Sequence, residues 1–418
     1  MRIKLIFSIF FLSFINLQSQ TLYKEISEYQ FIDLSANKID FPAGKEKFDI
    51  LFDKLDNIIV NGKGNINILH IGGSHIQADV YSNQLRENLL NFFPGITSGR
   101  GLVFPYSAAK TNNPYNYISQ FTGKWEPIRN IYKEFPYPLG VSGIAITSND
   151  PAASITIKIR DNTKKPYFDF NRIRIIGSSD SMSIEPILVI DSLFALNGIH
   201  DSASGSFLFE LTNYVDSLTI KFINNDTLNN PFVLRGIILE NDFPGISYHS
   251  VGVNGASVPS YLKCEYWERE LELISPDLVI FGIGVNDASG DNFSPEAFKR
   301  NYDMLLSKIL NVNPNCAFIF VTNNDTYRRI RRRYYVNNNG PIVKQAFYEL
   351  AEKYNSGVWD LFTIMGGLKS IAEWEKAGLA NRDKIHFKSN GYKLLGDMMY
   401  NAIIDEYINH INKASRDN

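Results

Sequence analysis

Apolar residues recur along the chain with two different periodicities, which predict two kinds of architecture. In the first and last parts, short apolar runs such as 67–72, 277–284 and 317–322 alternate with amphipathic stretches of helical spacing. The final stretch, residues 391–411, carries apolar side chains at a spacing that forms one buried helical face. Strands that alternate with amphipathic helices predict an α/β fold, in which helices cover both faces of a parallel sheet.

Between about residues 126 and 245 the pattern changes to short β-rich runs, and no helix-length pattern lies between them. These runs are SITIKIRD, RIRIIGS, PILVID, GSFLFEL, SLTIKFIN and FVLRGIILE, separated by Asn, Asp, Gly and Ser turns. Several short strands at close spacing predict a β-sandwich. Because the α/β pattern then resumes, we expect an α/β domain in two parts, 21–125 and 246–418, with a β-sandwich inserted at 126–245.

The N-terminus has the layout of a secretory signal peptide. Residues 1–20, MRIKLIFSIFFLSFINLQSQ, begin with Arg2 and Lys4 and continue with an apolar stretch from Leu5 to Leu17. This stretch is short for a membrane span, and no later segment reaches the ~18 apolar residues that a span needs. We therefore expect a secreted or periplasmic protein without a membrane span after cleavage, with an uncleaved N-terminal anchor as the alternative.

Composition narrows the function classes further. Apolar residues make up 44% of the 418 residues, and the formal net charge of −2 argues against a nucleic-acid partner. Nothing in the sequence indicates a metal or another cofactor. An exported chain with a large core does not need a disulfide, so we expect free thiols at Cys264 and Cys316, although the sequence leaves a bridge open.

Four polar motifs follow predicted strands or precede the final helix. They are GGS at 72–74, GVNG at 252–255, GVND at 284–287 and DKIH at 383–386. Each alone has a purely structural interpretation, as a tight turn, a helix cap or a polar pair at the start of a helix. In an open α/β sheet, however, ligands bind beyond the carboxyl ends of the strands, so the four motifs predict one shared site.

Together these motifs supply the groups that ester hydrolysis requires. Ser74 is the candidate nucleophile, His386 the base and Asp383 the carboxylate that orients the base. The backbone N–H groups of Ser74 and Gly255, with the side-chain amide of Asn286, are the candidate oxyanion donors.

In their order and spacing these motifs resemble blocks I, II, III and V of the SGNH (GDSL-type) hydrolases. The resemblance covers about residues 60–125 and 246–410, and it implies a flavodoxin-like three-layer α/β/α fold with a Ser-His-Asp esterase mechanism. It assigns Ser74 to block I, Gly255 to block II, Asn286 to block III, and Asp383 with His386 to block V. Family members usually carry Asp before the serine, and Gly73 stands there in this chain. The sequence does not show which residue stabilises this turn in place of the Asp.

The G-S-H form of block I and the β-insertion most resemble the bacterial peptidoglycan O-acetylesterases. In those proteins a jelly-roll-like β-sandwich, similar to a carbohydrate-binding module, interrupts the hydrolase domain. The resemblance implies that the partner is an acetylated glycan, with peptidoglycan first. Two alternatives remain: an esterase or acetyltransferase that acts on another polysaccharide, and a non-catalytic glycan-binding envelope protein.

Three further features are candidates for substrate binding. The arginine-rich stretch 323–335 follows an apolar strand, and it is either a solvated helix face or a basic rim, with Arg328 and Arg329, for substrate carboxylates. Arg100 lies in a Gly- and Tyr-rich loop region that either walls the cleft or packs as a loop. His75, beside the nucleophile, has a structural or a substrate-facing role.

Overall fold

The computed structural model describes residues 22–160, 165–179, 183–190, 194–224 and 230–417. The predicted signal peptide, residues 1–20, lies outside the described residues. Within the described ranges, no helix combines the length and the apolar character needed to cross a bilayer.

The strands and helices are numbered here in chain order. The strands are β1 (Ile39–Asp40), β2 (Asn65–Gly72), β3 (Gly101–Val103), β4 (Tyr117–Thr122), β5 (Glu126–Arg129), β6 (Ile144–Ser148), β7 (Ser154–Ile159), β8 (Phe170–Ser178), β9 (Ile184–Val189), β10 (Ala195–Asn197), β11 (Ile199–Asp201), β12 (Ser206–Val215), β13 (Ser217–Asn224), β14 (Phe232–Glu240), β15 (Gly245–Gly252), β16 (Leu278–Gly282), β17 (Ala317–Val321), β18 (Tyr327–Ile330), β19 (Arg333–Val336) and β20 (Gly357–Trp359). The helices are α1 (Glu46–Asn61), α2 (Ser74–Gln77), α3 (Tyr81–Asn91), α4 (Val258–Leu262), α5 (Trp267–Leu271), α6 (Pro295–Val312), α7 (Gly340–Tyr354), α8 (Leu361–Ile364), α9 (Ile371–Lys376) and α10 (Ser389–Asp417).

The first sheet is a six-stranded α/β sheet with the order β1-β20-β17-β16-β2-β15. Its strands are parallel except for the short edge strand β1, which pairs antiparallel with β20. Helices α1 and α3 pack against α10, and α4, α5 and α7 pack against α6 as a second group. The strands β16 and β17 are almost entirely buried, as a sheet covered by helices requires. This arrangement confirms the predicted α/β architecture.

Three neighbouring strands of this sheet end on glycines that lie in register. Gly72 of β2 pairs with Gly252 of β15 on one side and with Gly282 of β16 on the other. A Cβ atom at Gly72 would stand 2.2 Å from Cγ1 of Ile76, and one at Gly252 would stand 2.3 Å from the backbone nitrogen of Gln77. The missing side chains therefore let α2 sit directly on the carboxyl edge of the sheet.

The strands between β3 and β14 form two antiparallel sheets, with orders β10-β9-β13-β7-β4 and β11-β12-β8-β14-β6-β5. Phe222 of β13 lies 5.0 Å, between ring centroids, from Phe232 of β14, so the two sheets touch through buried side chains. Strand β3 pairs with β14, and β4 pairs with β7. Strand pairing therefore crosses the expected boundary at 125/126.

The spacing of apolar residues at 260–274 predicts a single helix, and this prediction is wrong. Two five-residue helices, α4 and α5, take its place. Between them the backbone N–H of Tyr266 donates to the carbonyl of Leu139 at 2.9 Å, so this N–H is held by a distant segment. Both cysteines of the chain are buried free thiols, as expected.

Candidate active site

The candidate nucleophile is the first residue of a short helix at the carboxyl edge of the α/β sheet. Strand β2 ends at Gly72, and Gly73 at the N-cap turns the chain with φ −100° and ψ −135°. Ser74 then begins α2, and its Oγ lies 2.7 Å from Nε2 of His386, which is 312 residues away in the chain. The hydroxyl group and the imidazole are therefore within hydrogen-bonding distance.

The imidazole is held by a carboxylate on its other side. Nδ1 of His386 lies 2.8 Å from Oδ2 of Asp383. The second oxygen, Oδ1, accepts hydrogen bonds from the backbone N–H groups of Ile385 at 2.9 Å and His386 at 3.0 Å. Partial burial raises the pKa of Asp383, but the hydrogen bonds from His386 and Ile385 lower it by a larger amount. The net pKa of Asp383 therefore lies below its usual value. An ionised Asp383 favours the proton on Nδ1, which leaves Nε2 to accept the hydroxyl proton of Ser74.

The candidate oxyanion donors lie beside Ser74. The N–H of Ala256 donates to the carbonyl of Val253 at 2.9 Å, and Gly255 has φ +83°, an arrangement typical of a type II turn. Asn286 donates through Nδ2 to the carbonyl of Ala256 at 2.9 Å, which ties its side chain to this turn. Ser74, Gly255 and Asn286 all line one open cleft of about 590 Å³, together with His386.

The glycine at position 73 leaves room for the Asn286 amide. A Cβ atom there would stand 3.3 Å from Nδ2 of Asn286 and 3.5 Å from the carbonyl oxygen of Ala256. The side of the turn on which the family usually carries an Asp thus faces the amide and the turn that follows β15. The nucleophile turn is packed on this side despite the missing carboxylate.

A second brace comes from Gln77, which no sequence motif indicated. Its buried side chain accepts a hydrogen bond from the backbone N–H of Asn254 at 2.8 Å. It also donates to the side chains of Thr111 and Asn112, at 3.0 Å each. A polar residue three positions after the candidate nucleophile was the available signal, but its partners are remote in sequence.

Arg100 does not line the cleft, so the structure corrects its expected role as a substrate-binding residue. It is buried, forms an ion pair with Asp79 and donates to Oδ1 of Asn116 at 2.6 Å. Asp79 also pairs with Arg86 at 3.1 Å. Burial raises the pKa of Asp79, but the charges of Arg100 and Arg86 lower it more, so that the net pKa falls below its usual value. This buried cluster fixes the chain just after α2.

His75 lines the cleft, but its ring is held from the protein side. Its Nδ1 lies 2.8 Å from the hydroxyl of Tyr392, and its ring centroid lies 5.1 Å from that of His386. Burial, followed by the charge of His386, lowers the pKa of His75 to about 3. His75 is therefore neutral at physiological pH and packs against the imidazole of the candidate base.

The arginine-rich stretch forms a β-hairpin, and the helical interpretation of it is wrong. Strands β18 and β19 pair around Arg331 and Arg332, which have φ of +47° and +71°. Arg328 and Arg329 line the cleft, and Arg328 forms an ion pair with the exposed Asp291. Two of the five arginines thus border the cleft, as a basic rim requires.

Within the described ranges, a grouping of metal-type donor atoms joins Asp53, Asp56 and His410 on α1 and α10. These atoms lie within 4.8 Å of one another, and none of the three residues lines the cleft. Exposed acidic groups of this kind commonly occur without an ion, so the grouping gives no cofactor role to the candidate site.

Part of the chain matches a known protein family. Residues 216–394 match the GDSL-like Lipase/Acylhydrolase family. This range includes Gly255, Asn286, Asp383 and His386. Ser74 precedes it in the sequence, and most strands of the antiparallel sheets lie between Ser74 and the start of the match. No curated protein sequence matches the chain.

Solved structures of other proteins resemble the fold of this chain. A peptidoglycan O-acetylesterase aligns with a TM-score of 0.70 and 18% sequence identity, covering 89% of this chain and 99% of that chain. An acetyl xylan esterase aligns with a TM-score of 0.30 and 20% identity, covering 38% of this chain and 81% of that one. A family two carbohydrate esterase from Cellvibrio japonicus has a TM-score of 0.29 and 10% identity, covering 70% of this chain and 100% of that one.

The first likeness extends over nearly all of both chains and shows a common fold. The family match and this fold confirm the resemblance to the SGNH (GDSL-type) hydrolases. They indicate an enzyme that hydrolyses ester bonds.

Proposed function

We propose that this protein is a serine esterase that removes O-acetyl groups from a glycan, and that its substrate is O-acetylated peptidoglycan. The observation that carries the proposal is the unbroken contact from Ser74 Oγ to His386 Nε2, and from His386 Nδ1 to Asp383, at 2.7 and 2.8 Å. The likeness in fold to a peptidoglycan O-acetylesterase supports the choice of substrate.

In the first half of the reaction, Ser74 becomes acetylated. Its Oγ attacks the acetyl carbonyl carbon while the hydroxyl proton passes to Nε2 of His386. The carbonyl oxygen becomes an oxyanion, which the N–H groups of Ser74 and Gly255 and the amide of Asn286 stabilise. The bond between the acetyl carbon and the sugar oxygen then breaks, and His386 gives the proton to that oxygen, which leaves as a free hydroxyl.

In the second half, water regenerates the enzyme. His386 takes a proton from a water molecule whose oxygen attacks the acetyl carbon. The bond between that carbon and Ser74 Oγ breaks, the proton returns to Oγ, and acetic acid leaves and ionises to acetate. Asp383 stabilises the imidazolium in both halves without taking its proton.

The surroundings of the cleft support a large, anionic substrate. Arg328, which also pairs with Asp291, and Arg329 lie at its border, where guanidinium groups bind carboxylates such as the lactyl and peptide groups of peptidoglycan. We propose that the antiparallel sheets form an inserted β-sandwich resembling a carbohydrate-binding module and hold the glycan chain. We also propose that residues 1–20 direct export to the periplasm or beyond, where this substrate lies.

The test is acetate release from O-acetylated peptidoglycan by the wild type and by Ser74→Ala. We expect the variant to lose activity by about 10⁵-fold or more, because removing a serine nucleophile costs several orders of magnitude. Ser415→Ala, at an exposed position of α10, is the matched control and should keep the wild-type rate. Equal release by the wild type and Ser74→Ala would refute the mechanism, and release only from other acetylated glycans would redirect the substrate.

A further inference from the structure

Gln77 links the two halves of the proposed catalytic apparatus. It is the fourth residue of α2, the helix that Ser74 begins, and only 2% of the residue is exposed. Its Oε1 accepts the backbone N–H of Asn254 at 2.8 Å, and Asn254 directly precedes Gly255. A single side chain thus ties the nucleophile helix to the turn that carries a proposed oxyanion donor.

The backbone of that turn shows why this link matters. Residues Val253 to Ala256 form a turn closed by the hydrogen bond from the Ala256 N–H to the Val253 carbonyl, with Gly255 at φ +83°. The N–H of the first central residue, Asn254, is not used by the turn itself. Gln77 accepts it and so fixes the first peptide unit of the turn, one residue before the N–H of Gly255.

The remaining contacts of Gln77 prevent its side chain from turning away. Its Nε2 donates to Thr111 Oγ1 and to Asn112 Oδ1, at 3.0 Å each. Asn112 also accepts from Nδ2 of Asn254 at 2.9 Å. Since both the oxygen and the nitrogen of the Gln77 amide form hydrogen bonds, its oxygen is held against the backbone N–H of Asn254.

We propose that Gln77 is a positioning residue that holds the Gly255 N–H at a fixed distance from Ser74 Oγ. The inference rests on the proposed esterase function and concerns oxyanion stabilisation within it. A buried glutamine that only fills space would affect folding, whereas this role affects transition-state binding. The bond between Gln77 Oε1 and the Asn254 N–H is the contact to be tested.

Two variants remove this contact from opposite sides. Gln77→Met keeps a side chain of similar length without the acceptor. Asn254→Pro removes the donating N–H, and proline suits this position because the first central residue of a type II turn favours it. Asn254→Ala, which retains the N–H, is the matched partner of the proline variant.

The readouts are kcat and KM on 4-nitrophenyl acetate, inhibition by an alkyl boronic acid that mimics the tetrahedral intermediate, and thermal unfolding. Loss of a whole oxyanion donor costs about 10²- to 10³-fold in kcat, so we expect a ~10- to ~100-fold loss for Gln77→Met. We expect a similar loss for Asn254→Pro relative to Asn254→Ala. KM should stay within about twofold, and boronate inhibition should weaken in parallel with kcat.

The inference is overturned if Gln77→Met folds and retains kcat, or if kcat falls without weaker boronate inhibition. If Gln77→Met does not fold, the comparison of Asn254→Pro with Asn254→Ala decides. A wild type without esterase activity would overturn the proposed function and this inference together, whereas an active wild type with unchanged variants overturns the inference alone.

Discussion

Replacing Asp383 by Asn tests how much the carboxylate contributes to the proposed reaction. Two backbone N–H groups, of Ile385 and His386, donate to Oδ1 of Asp383. In the variant these donors will hold the amide oxygen on their side, so the NH₂ group will face Nδ1 of His386. An NH₂ group there favours the tautomer with its proton on Nε2, which removes the acceptor for the Ser74 hydroxyl.

The size of the loss follows from the geometry. Oδ2 of Asp383 lies 2.8 Å from Nδ1, and the two side chains are 45% and 34% exposed. Opposite unit charges about 4 Å apart attract by ~1 kcal/mol in water and by ~4 kcal/mol at an effective dielectric constant of 20. A half-open pair lies between these limits, at ~2–3 kcal/mol, or ~30- to ~150-fold in rate. The wrong tautomer adds to this, toward a loss of about 10⁴-fold.

The assay is kcat and KM for 4-nitrophenyl acetate at neutral pH. We expect kcat of Asp383→Asn to fall by about 10²- to 10⁴-fold while KM changes little, because the charge interaction grows only when the imidazolium forms. Asp49→Asn is a matched control, since Asp49 Oδ1 lies 3.2 Å from Nδ1 of His410, away from the cleft. A kcat within twofold of wild type for Asp383→Asn, beside an inactive Ser74→Ala, would refute the assigned role.

Three further predictions concern stability. Gly72→Ala should lower the free energy of unfolding by about 1–3 kcal/mol in thermal unfolding, because its Cβ would overlap the Ile76 side chain at 2.2 Å; an unchanged melting temperature would contradict this. Burial raises the pKa of Asp287 to about 6, so the folded state binds the carboxyl proton more tightly than the unfolded state does. The contribution of Asp287 to stability therefore falls as pH rises from about 4 to 6. Urea unfolding should therefore find Asp287→Asn more stabilising at pH 7 than at pH 4, by at most about 3 kcal/mol, and a pH-independent difference would refute this. Arg235→Met should cost about 3–5 kcal/mol in urea unfolding because it leaves the buried Glu270 unpaired, and adding Glu270→Leu should restore stability; a single variant as stable as the double one would contradict this.

The residues of the candidate site were predictable because each lies at a strand end or in a turn with a local signature. Parallel strands direct their carboxyl ends to the same edge, so motifs at Ser74, Gly255 and Asn286 were expected to meet. The structure brings Asp383 and His386 to the same edge. The distances between these groups could not be predicted, because no local pattern fixes the path of the chain between them.

The contacts of Gln77 and Arg100 were not predictable. A glutamine in a short helix and an arginine in a loop both read as surface residues, since such side chains are mostly exposed. Both are buried because distant segments supply their partners, Asn254 for Gln77 and Asp79 for Arg100. Burial of a polar group is tolerated only when those partners are present, and the sequence does not show them.

Local patterns also failed where tertiary contacts compete with helix formation. Residues 260–274 have helical periodicity, yet the N–H of Tyr266 donates to Leu139 and the chain forms two short helices. The arginine-rich stretch turns at Arg331 and Arg332 into a hairpin that borders the cleft.

The amino-acid sequence by itself determined the alternation of strands and helices and the chemical groups at the strand ends, because periodicity and turn chemistry act over a few residues. Only the tertiary structure decided that Ser74 and His386, 312 residues apart, lie 2.7 Å from each other, and that Gln77 lies beneath the turn of Gly255. Such contacts depend on how whole layers pack, and packing is set by many weak interactions between distant segments at once.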